Sequence, residues 1–591
     1  MSNCPALRMA VLLSIPLLLL GDSLRLKRVA ELPYGAEYGR LLCGDTDHDS
    51  LSEMIFAWSF PAPHWAVWEY EPVSQYHVVY ADTWANPPWP PGIDTGSFYP
   101  WDIGDIDRDG LRDLLGYHVY CDSYHYRFVL GVMESPDPHS YPARLVWWTN
   151  LAPYATADYV PCYLSGDLDG DDREDMYCND CYEGILYIFE NSGNNQNRVA
   201  WLDSSPRGGP TVAFGDFDLD SSKEWVSAGL SAAGLVWLYE NRGNDSFALS
   251  WTDTVMAPNG IDAFSGDDVD QDGKPEFFIS FAWYGGTIAH FRLFAWETVG
   301  DNAYERCEVD TVTRDVGSGW WALSRCGDID ADGVEEICWS LGNAVYVYDG
   351  VADNHYELVW MRTDLPRGWN KADICVYDEN ANGYQELVVS GSGYTWLFEL
   401  EALQVLNPNG GQSLVPGETC QIHWRVYTPP RCDSVSLFLK TDTTIYPGER
   451  FWRLDTIVTG LASTDSVYPW VVPSRPSSMA RVVAIAYGPG WQYDESDSSF
   501  RIVGIEEVRP APVRDWALSV SPNPARGRAI VSYDVPRRSA VSLGLYDASG
   551  RLIRELASGE KLPGTYEVTK TIEPDLSPEF TSSGLSQPPG G

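Results

Sequence analysis

Residues 268–282 read DVDQDGKPEFFISFA, an acidic turn with acids at its first, third, fifth and ninth positions that runs straight into an apolar stretch. The same grammar recurs six more times. DTDHDSLSE begins at Asp45, DIDRDGLRD at Asp105, DLDGDDRED at Asp167, DFDLDSSKE at Asp216, DIDADGVEE at Asp328 and DENANGYQE at Asp378. Successive starts lie 60, 62, 49, 52, 60 and 50 residues apart, and a recurrence at this period marks a repeat architecture. Chance does not account for it. Acids fill 84 of 591 positions, so four specified acids coincide at roughly 0.0004 per start, well under one copy in the chain.

Oxygens at positions 1, 3 and 5 of a tight turn converge on one point, and a position-7 carbonyl with a position-9 carboxylate completes a shell. Calcium takes six to eight oxygens in such irregular cages, whereas magnesium keeps its water and transition metals favour nitrogen or sulfur. The expected ligands are Asp45, Asp47, Asp49 and Glu53; Asp105, Asp107, Asp109 and Asp113; Asp167, Asp169, Asp171 and Asp175; Asp216, Asp218, Asp220 and Glu224; Asp268, Asp270, Asp272 and Glu276; Asp328, Asp330, Asp332 and Glu336; and Asp378, Asn380, Asn382 and Glu386. Up to seven calcium ions follow. The last loop is the weakest, because two amides replace carboxylates. Position 6 should turn through positive φ, which suits Gly110, Gly273, Gly333 and Gly383; Ser50, Asp172 and Ser221 fill it elsewhere.

Around each loop the pattern is that of strands. RLLCGD, VAFGD or SRCGD enters a loop; EMIFAWS, DLLGYHVY, EWVSAGL, EFFISFA, EICWSLG or ELVVSGS leaves one. A third run such as LVWLYEN or AVYVYDG follows, then a fourth such as RVAWLDS, LSWTDT or ELVWMRTD. β-branched and aromatic runs bounded by Gly, Asn, Asp and Pro are strand signals, and four strands per 50–60 residues make a propeller blade. The expected fold is all-β: a seven-bladed β-propeller with calcium loops over residues 25–401, followed by one or two small β-sandwich domains. The seventh unit stops after three strands, and LKRVAEL, residues 26–32, matches the missing fourth. Pairing the two ends would remove the open seam.

The chain resembles the FG-GAP or VCBS-type repeats of integrin α-subunit propellers and of many secreted bacterial proteins. The likeness rests on the seven loops; FG itself survives at Phe214–Gly215, and there is no Gly-Ala-Pro. It implies calcium loops between strands 1 and 2 on one rim and a ligand face on the other. Beyond LNPNGG, residues 406–411, the alternating runs TCQIHWRV, SVSLFLK and ARVVAIAYG suggest an immunoglobulin-like sandwich over 402–505. A linker follows at 506–516. SPNP (521–524) and LYDASGRLIREL over 517–570 resemble the type IX secretion sorting or FlgD-like domain that ends many exported bacterial proteins, here in partial form. Residues 571–591 are polar and Pro/Gly-rich and read as disordered.

Arg8 followed by AVLLSIPLLLLG reads as a signal peptide over residues 1–24, too short to span a bilayer. The chain is therefore expected to be secreted or held at the cell surface, using the export machinery. The formal charge of −44 leaves no basic stripe for nucleic acid. Twelve cysteines suit an oxidising compartment, with Cys162/Cys178, Cys326/Cys338 and Cys420/Cys432 as candidate pairs. CNDC at 178–181 is a lone CxxC and weak evidence for zinc or redox chemistry.

Nucleophile-elbow, zincin, P-loop and dinucleotide signatures are absent, so no catalytic residue is assigned. Tyr38, Trp84, Trp89, Phe98, Tyr99, Trp101, Trp320, Trp321 and Trp369 cluster where inter-blade loops are expected. Flat rings stack on sugars and anchor peptides, so these nine form the expected ligand face. The leading expectation is a non-catalytic adhesion module for an extracellular glycan or protein. An extracellular polysaccharide lyase or glycosidase and a purely structural envelope protein are the alternatives.

Overall fold

The computed structural model describes residues 24–571 apart from 37, 58–64, 72–74, 82–95, 123–124, 152–160, 181–184, 205–208, 210, 230–233, 257–258, 286, 317–321, 367–371, 392, 428–431, 447–448, 489, 504–515, 522–527 and 547–550. The expected signal peptide and polar tail lie outside the described residues except for Leu24 and for Thr571, which ends a strand. Among those described, every regular element is a β-strand, and no helix is long and apolar enough to cross a membrane. The chain divides into two units, the first Met1–Ala402 with Pro489–Trp491 and the second Leu403–Gly488 with Gln492–Gly591.

The first unit repeats one design: four antiparallel strands in chain order. The first sheet takes Tyr38–Gly44, Glu53–Ala57, Trp65–Glu71 and Gln75–Ala81; the second takes Gly96–Gly104, Asp113–Asp122, His125–Glu134 and Arg144–Asn150. The third takes Cys162–Gly166, Asp175–Asp180, Ile185–Gly193 and Gln196–Ser204; the fourth takes Ala213–Gly215, Glu224–Ala228, Leu235–Asn241 and Phe247–Thr254. The fifth takes Gly260–Ser265, Glu276–Gly285, Ile288–Gly300 and Ala303–Asp315; the sixth takes Arg325–Gly327, Glu336–Ser340, Val345–Ala352 and His355–Arg362.

The seventh has Ala372–Tyr377, Glu386–Gly391 and Tyr394–Leu400, its fourth antiparallel strand is Leu26–Leu32, and a two-residue fifth strand, Ala322–Leu323, pairs parallel with Ala372–Tyr377. That strand pairs antiparallel, from Leu26 opposite Leu400 to Leu32 opposite Thr395. The chain then passes so close to the seventh sheet that a Cβ on Gly35 would meet the Tyr394 carbonyl oxygen at 2.0 Å. Only glycine fits there.

Each second strand is nearly all buried, as in Glu53–Ala57, Glu224–Ala228 and Glu336–Ser340. The fourth strands alternate, as in Phe247–Thr254. Apolar cores fill the space between neighbouring sheets. Phe56, Trp68 and Leu41 pack with Val388 and Leu397, joining the first sheet to the seventh. Trp65 and Ile55 pack with Phe98 and Leu114 of the second. Similar cores join the second to fourth, fourth to fifth, fifth to sixth and sixth to seventh.

First strands neighbour one another. Tyr38–Gly44 lies beside both Gly96–Gly104 and Ala372–Tyr377. Side chains on these strands hold the next sheet's backbone: Leu41 N–H donates to Asp373 Oδ2 at 2.7 Å, Leu164 N–H to Asp102 Oδ2 at 3.0 Å, and Ser324 N–H to Asp262. Arg40 is buried among them, 3.9 Å from Asp373 and over the Tyr163 ring. Its charge bears on Asp102 and Asp262 as well.

The second unit begins with a three-stranded sheet, Leu403–Asn407, Thr419–Val426 and Val467–Val471. A larger sheet runs Ser413–Leu414, Phe500–Ile502, Ser477–Tyr487, Ser434–Tyr446, Glu449–Ala462. Trp424, Ile422, Val435, Leu437 and Phe500 share the core of the two. Farther on, Ala517–Ser521, Arg528–Val535 and Gly564–Thr571 form one small sheet and Ser539–Tyr546 with Leu552–Lys561 another, around Tyr533, Val541 and Tyr566.

Candidate metal centres

All seven acidic stretches join the first and second strands of a sheet, and the ninth residue of each opens the second strand. The backbone turns twice through the left-handed region. At position 6, Ser50, Gly110, Asp172, Ser221, Gly273, Gly333 and Gly383 have φ between 70° and 94°. At position 4, His48, Arg108, Gly170, Leu219, Gln271, Ala331 and Ala381 have φ between 53° and 82°. Six of the seven residues at position 4 carry a side chain, so each accepts local strain that the rest of the loop must offset.

Hydrogen bonds within the loop offset that strain in an invariant pattern. The position-6 N–H donates to the first carboxylate's Oδ2, from 2.8 Å at Asp172→Asp167 to 3.2 Å at Ser50→Asp45. The position-7 N–H donates to the fifth residue's Oδ1, as in Ser222→Asp220 at 2.6 Å and Lys274→Asp272 at 3.0 Å. The position-2 N–H donates to the ninth carboxylate, as in Phe217→Glu224 at 2.6 Å and Val269→Glu276 at 3.0 Å. One oxygen of each carboxylate is thereby fixed by backbone.

In eleven of the loop acids the other oxygen is left over. Asp45, Asp216, Asp268 and Asp328 at position 1, Asp47, Asp107 and Asp169 at position 3, and Glu53, Asp113, Glu224 and Glu276 at position 9 each keep one buried oxygen without a hydrogen-bond partner. Glu53, Glu224 and Glu276 are fully buried. A buried polar atom normally finds a partner, and an unpaired charge is costlier still. Burial therefore pushes these acids upward: Glu53, Asp113, Asp175 and Glu276 to about 8, Glu224 and Glu336 to about 9, and Glu386 well above its usual range. Neighbouring loop carboxylates add to the rise, as Asp218 and Asp216 do for Glu224. A divalent cation at the convergence point would supply the missing partner.

The ligand atoms are close enough to share one. Those of Asp45, Asp47, Asp49 and Glu53 lie within 4.8 Å of one another, as do those of Asp216, Asp218, Asp220 and Glu224 and of Asp328, Asp330, Asp332 and Glu336. Several buried acidic clusters thus fit a hard cation such as calcium, with all-oxygen donors and no thiol or imidazole. The seventh loop differs. Asn380 Nδ2 donates to the Glu386 Oε1 that would face the ion, and Asn382 Nδ2 turns to Glu399.

A second set of acids escaped sequence reasoning. Glu53 lies opposite Glu69, Asp113 opposite Glu134, Asp175 opposite Glu190, Glu224 opposite Glu240 and Glu276 opposite Glu297. These third-strand acids are buried, and four of them pair with cationic or amide side chains, while Glu69 accepts from the Tyr141 hydroxyl at 2.7 Å. Glu190 takes Arg173 and Arg198, Glu240 takes Arg242, Glu297 takes Lys274, and Glu134 takes Arg144 and Asn195. In those four facing pairs one carboxylate is matched by protein groups and the other is left for an ion. Only strand register exposes this relation.

The aromatic set is redistributed. Phe98 and Trp101 are buried, not exposed, because Gly96–Gly104 is a strand at a sheet interface and not a loop. Gly116 on the adjoining strand makes room for the Phe98 ring, and Trp101 meets Tyr163 edge-on at 6.1 Å. Tyr99 is half-buried against Tyr117. Tyr38 opens a strand, its side chain outside the described residues, and Trp84, Trp89, Trp320, Trp321 and Trp369 also lie outside them.

Among the cysteine pairs, Cys162 and Cys178 stand directly opposite on adjacent strands, both buried. Cys326 lies opposite Ile337 instead, so alternation sends Cys338 to the other face and that pair does not meet. Cys420 contacts Asn407 and the Gln421 carbonyl, while Cys432 contacts the Ser434 carbonyl. No protein-family model matches the chain, and no curated protein matches it.

Proposed function

We propose that the first unit is a closed seven-bladed propeller braced by calcium at its acidic loops, and that the protein is an exported or surface-held, non-catalytic binder of an extracellular glycan or protein. The observation that carries the calcium reading is the unpartnered buried oxygen that recurs, loop after loop, where ligands converge. The ring reading is supported by Arg40, whose neighbours Asp102, Tyr163, Asp262 and Asp373 come from the second, third, fifth and seventh sheets. Strands from so many sheets meet one side chain only near a common axis.

Binding at the far rim is supported by strand direction. First strands enter the acidic loops, so their opposite ends, and the ends of the fourth strands that lead to them, lie at the other rim. The strand ends at Ala81 and Gly96 bracket Trp84 and Trp89, and those at Arg362 and Ala372 bracket Trp369. These strand ends stand away from the acidic loops, which supports a recognition face separate from them.

The test is a panel of extracellular glycans and proteins probed with the calcium-loaded full chain. Binding that weakens when Trp84 and Trp89 are changed to Ala, with unchanged melting temperature, supports the reading. New reducing ends or unsaturated products from polysaccharides would instead show a degrading enzyme.

A further inference from the structure

We propose that Cys43 and Cys375 form a disulfide that clasps the first sheet to the seventh. The two residues sit on Tyr38–Gly44 and Ala372–Tyr377, the neighbouring first strands of those sheets. Two positions before them, Leu41 N–H donates to Asp373 Oδ2 at 2.7 Å, across 332 residues of sequence. Advancing both strands by two residues returns to the same faces and places Cys43 against Cys375. The Cys375 thiol is among the groups that bear on the Cys43 thiol, and both residues are partly buried. Both pack on one apolar cluster, formed by Leu41, Met54 and Phe56 of the first sheet with Val388 and Leu397 of the seventh.

The junction is otherwise closed without covalent bonds. Leu26–Leu32 supplies a strand to the seventh sheet, Ala36 N–H donates to Ser390 Oγ at 2.7 Å, and Ser52 Oγ reaches the Asp378 carbonyl. A cross-link there differs in kind from one at Cys162 and Cys178. That pair joins adjacent strands of a single sheet, so it ties little chain. The Cys43–Cys375 bond would close a loop through all seven sheets, and longer loops remove more freedom from the unfolded chain. Glu379 adds a local signal. It fills position 2, where the other loops bury Thr46, Ile106, Leu168, Phe217, Val269 and Ile329, and its carboxyl is buried among groups that include Cys43 and Cys375.

Formation needs a disulfide-bonded oxidant. One cysteine thiolate attacks the oxidant's sulfur and releases one of its thiols; the second attacks the mixed disulfide and releases the other. Two electrons and two protons pass from the cysteines to the oxidant, and one S–S bond is exchanged for another.

The experiment takes the full chain, refolded with oxidised and reduced glutathione, and blocks remaining thiols with N-ethylmaleimide in denaturant. Non-reducing digestion and mass spectrometry then locate the links. The expected result is a peptide joining Cys43 to Cys375, with N-ethylmaleimide lost from both. Both residues fully alkylated in folded protein would overturn the proposal, and so would a Cys162–Cys178 link alone. A second measurement compares melting with and without reductant. Wild type should fall by several degrees, while the Cys43→Ala/Cys375→Ala double variant should not respond. The readout is independent of calcium, so failure here leaves the cation reading standing.

Discussion

The backbone N–H of Asn195 donates to Asp107 Oδ2 at 2.7 Å, which ties a hairpin of the third sheet to the acidic loop of the second. The contact recurs down the chain. Asp245 reaches Asp169 at 2.6 Å, Asn302 reaches Asp218 at 2.7 Å and Asn354 reaches Asp270 at 2.5 Å. Each donor stands in the turn between the third and fourth strands of the following sheet, with φ between 51° and 55°. A left-handed Asn or Asp is tolerated there at low cost, so the position-3 carboxylate of one loop is oriented by the next sheet.

Asn195→Ala should therefore act on the second loop as well as on the third sheet. It gives up the left-handed preference and the Asn195 Nδ2 bond to Glu134, a loss of about 1–3 kcal/mol. Chemical denaturation should show a lower midpoint with unchanged slope. In a double-mutant cycle the change should couple with Asp107→Asn and add independently to Asp270→Asn.

Glu224→Gln should change sign with calcium. Without the ion, the wild type buries an acid crowded by Asp216 and Asp218, and the neutral amide still accepts the Phe217 N–H. The variant should then be more stable than wild type in chelator, by about 1–3 kcal/mol. In saturating calcium it should be less stable and hold one ion fewer. Thermal melts in both conditions read the crossing directly.

Asp262 supplies a pH dependence away from the loops. Burial, opposed by the Ser324 bonds and by Arg40, lifts its carboxyl from an ordinary 3.8 to about 7. Between those values the folded chain binds a proton that the unfolded chain releases, so the contribution is full at acidic pH and is lost as pH rises through about 7. Asp262→Asn should flatten that fall, worth at most about 4 kcal/mol. Melting curves from pH 5 to 8 in saturating calcium, compared between wild type and variant, measure the difference.

Deleting residues 23–33 removes Leu26–Leu32 and leaves Tyr394–Leu400 as an exposed edge. The truncated chain should melt many degrees lower and associate with itself. An unchanged melt would show that the strand contributes nothing to the seventh sheet.

Much of this was legible in the sequence for a physical reason. The loop ligands sit within nine residues, so their spacing alone carries the geometry, and each acid at position 9 announces the strand that follows. The left-handed residue at position 4 was not legible, because His48, Leu219 and Gln271 carry no turn signature. Glu134 and Glu190 were hidden because one acid in an apolar strand means nothing until register sets it opposite Asp113 or Asp175. Asn195 and Asn354 were hidden because their partners lie 88 and 84 residues away. Phe98 and Trp101 were misplaced for a related reason. An aromatic run beside prolines reads as a loop until its pairing with Asp113–Asp122 is known.

The central claim is that seven oxygen-lined turns hold calcium and brace the sheets that carry them. It is tested most directly by metal analysis of the full chain, equilibrated with a limiting mixture of calcium, magnesium and zinc and then desalted. The account predicts several calcium ions per chain, up to one for each loop, with little of the other two. Folded protein that keeps no calcium, and melts at the same temperature in chelator, would contradict it.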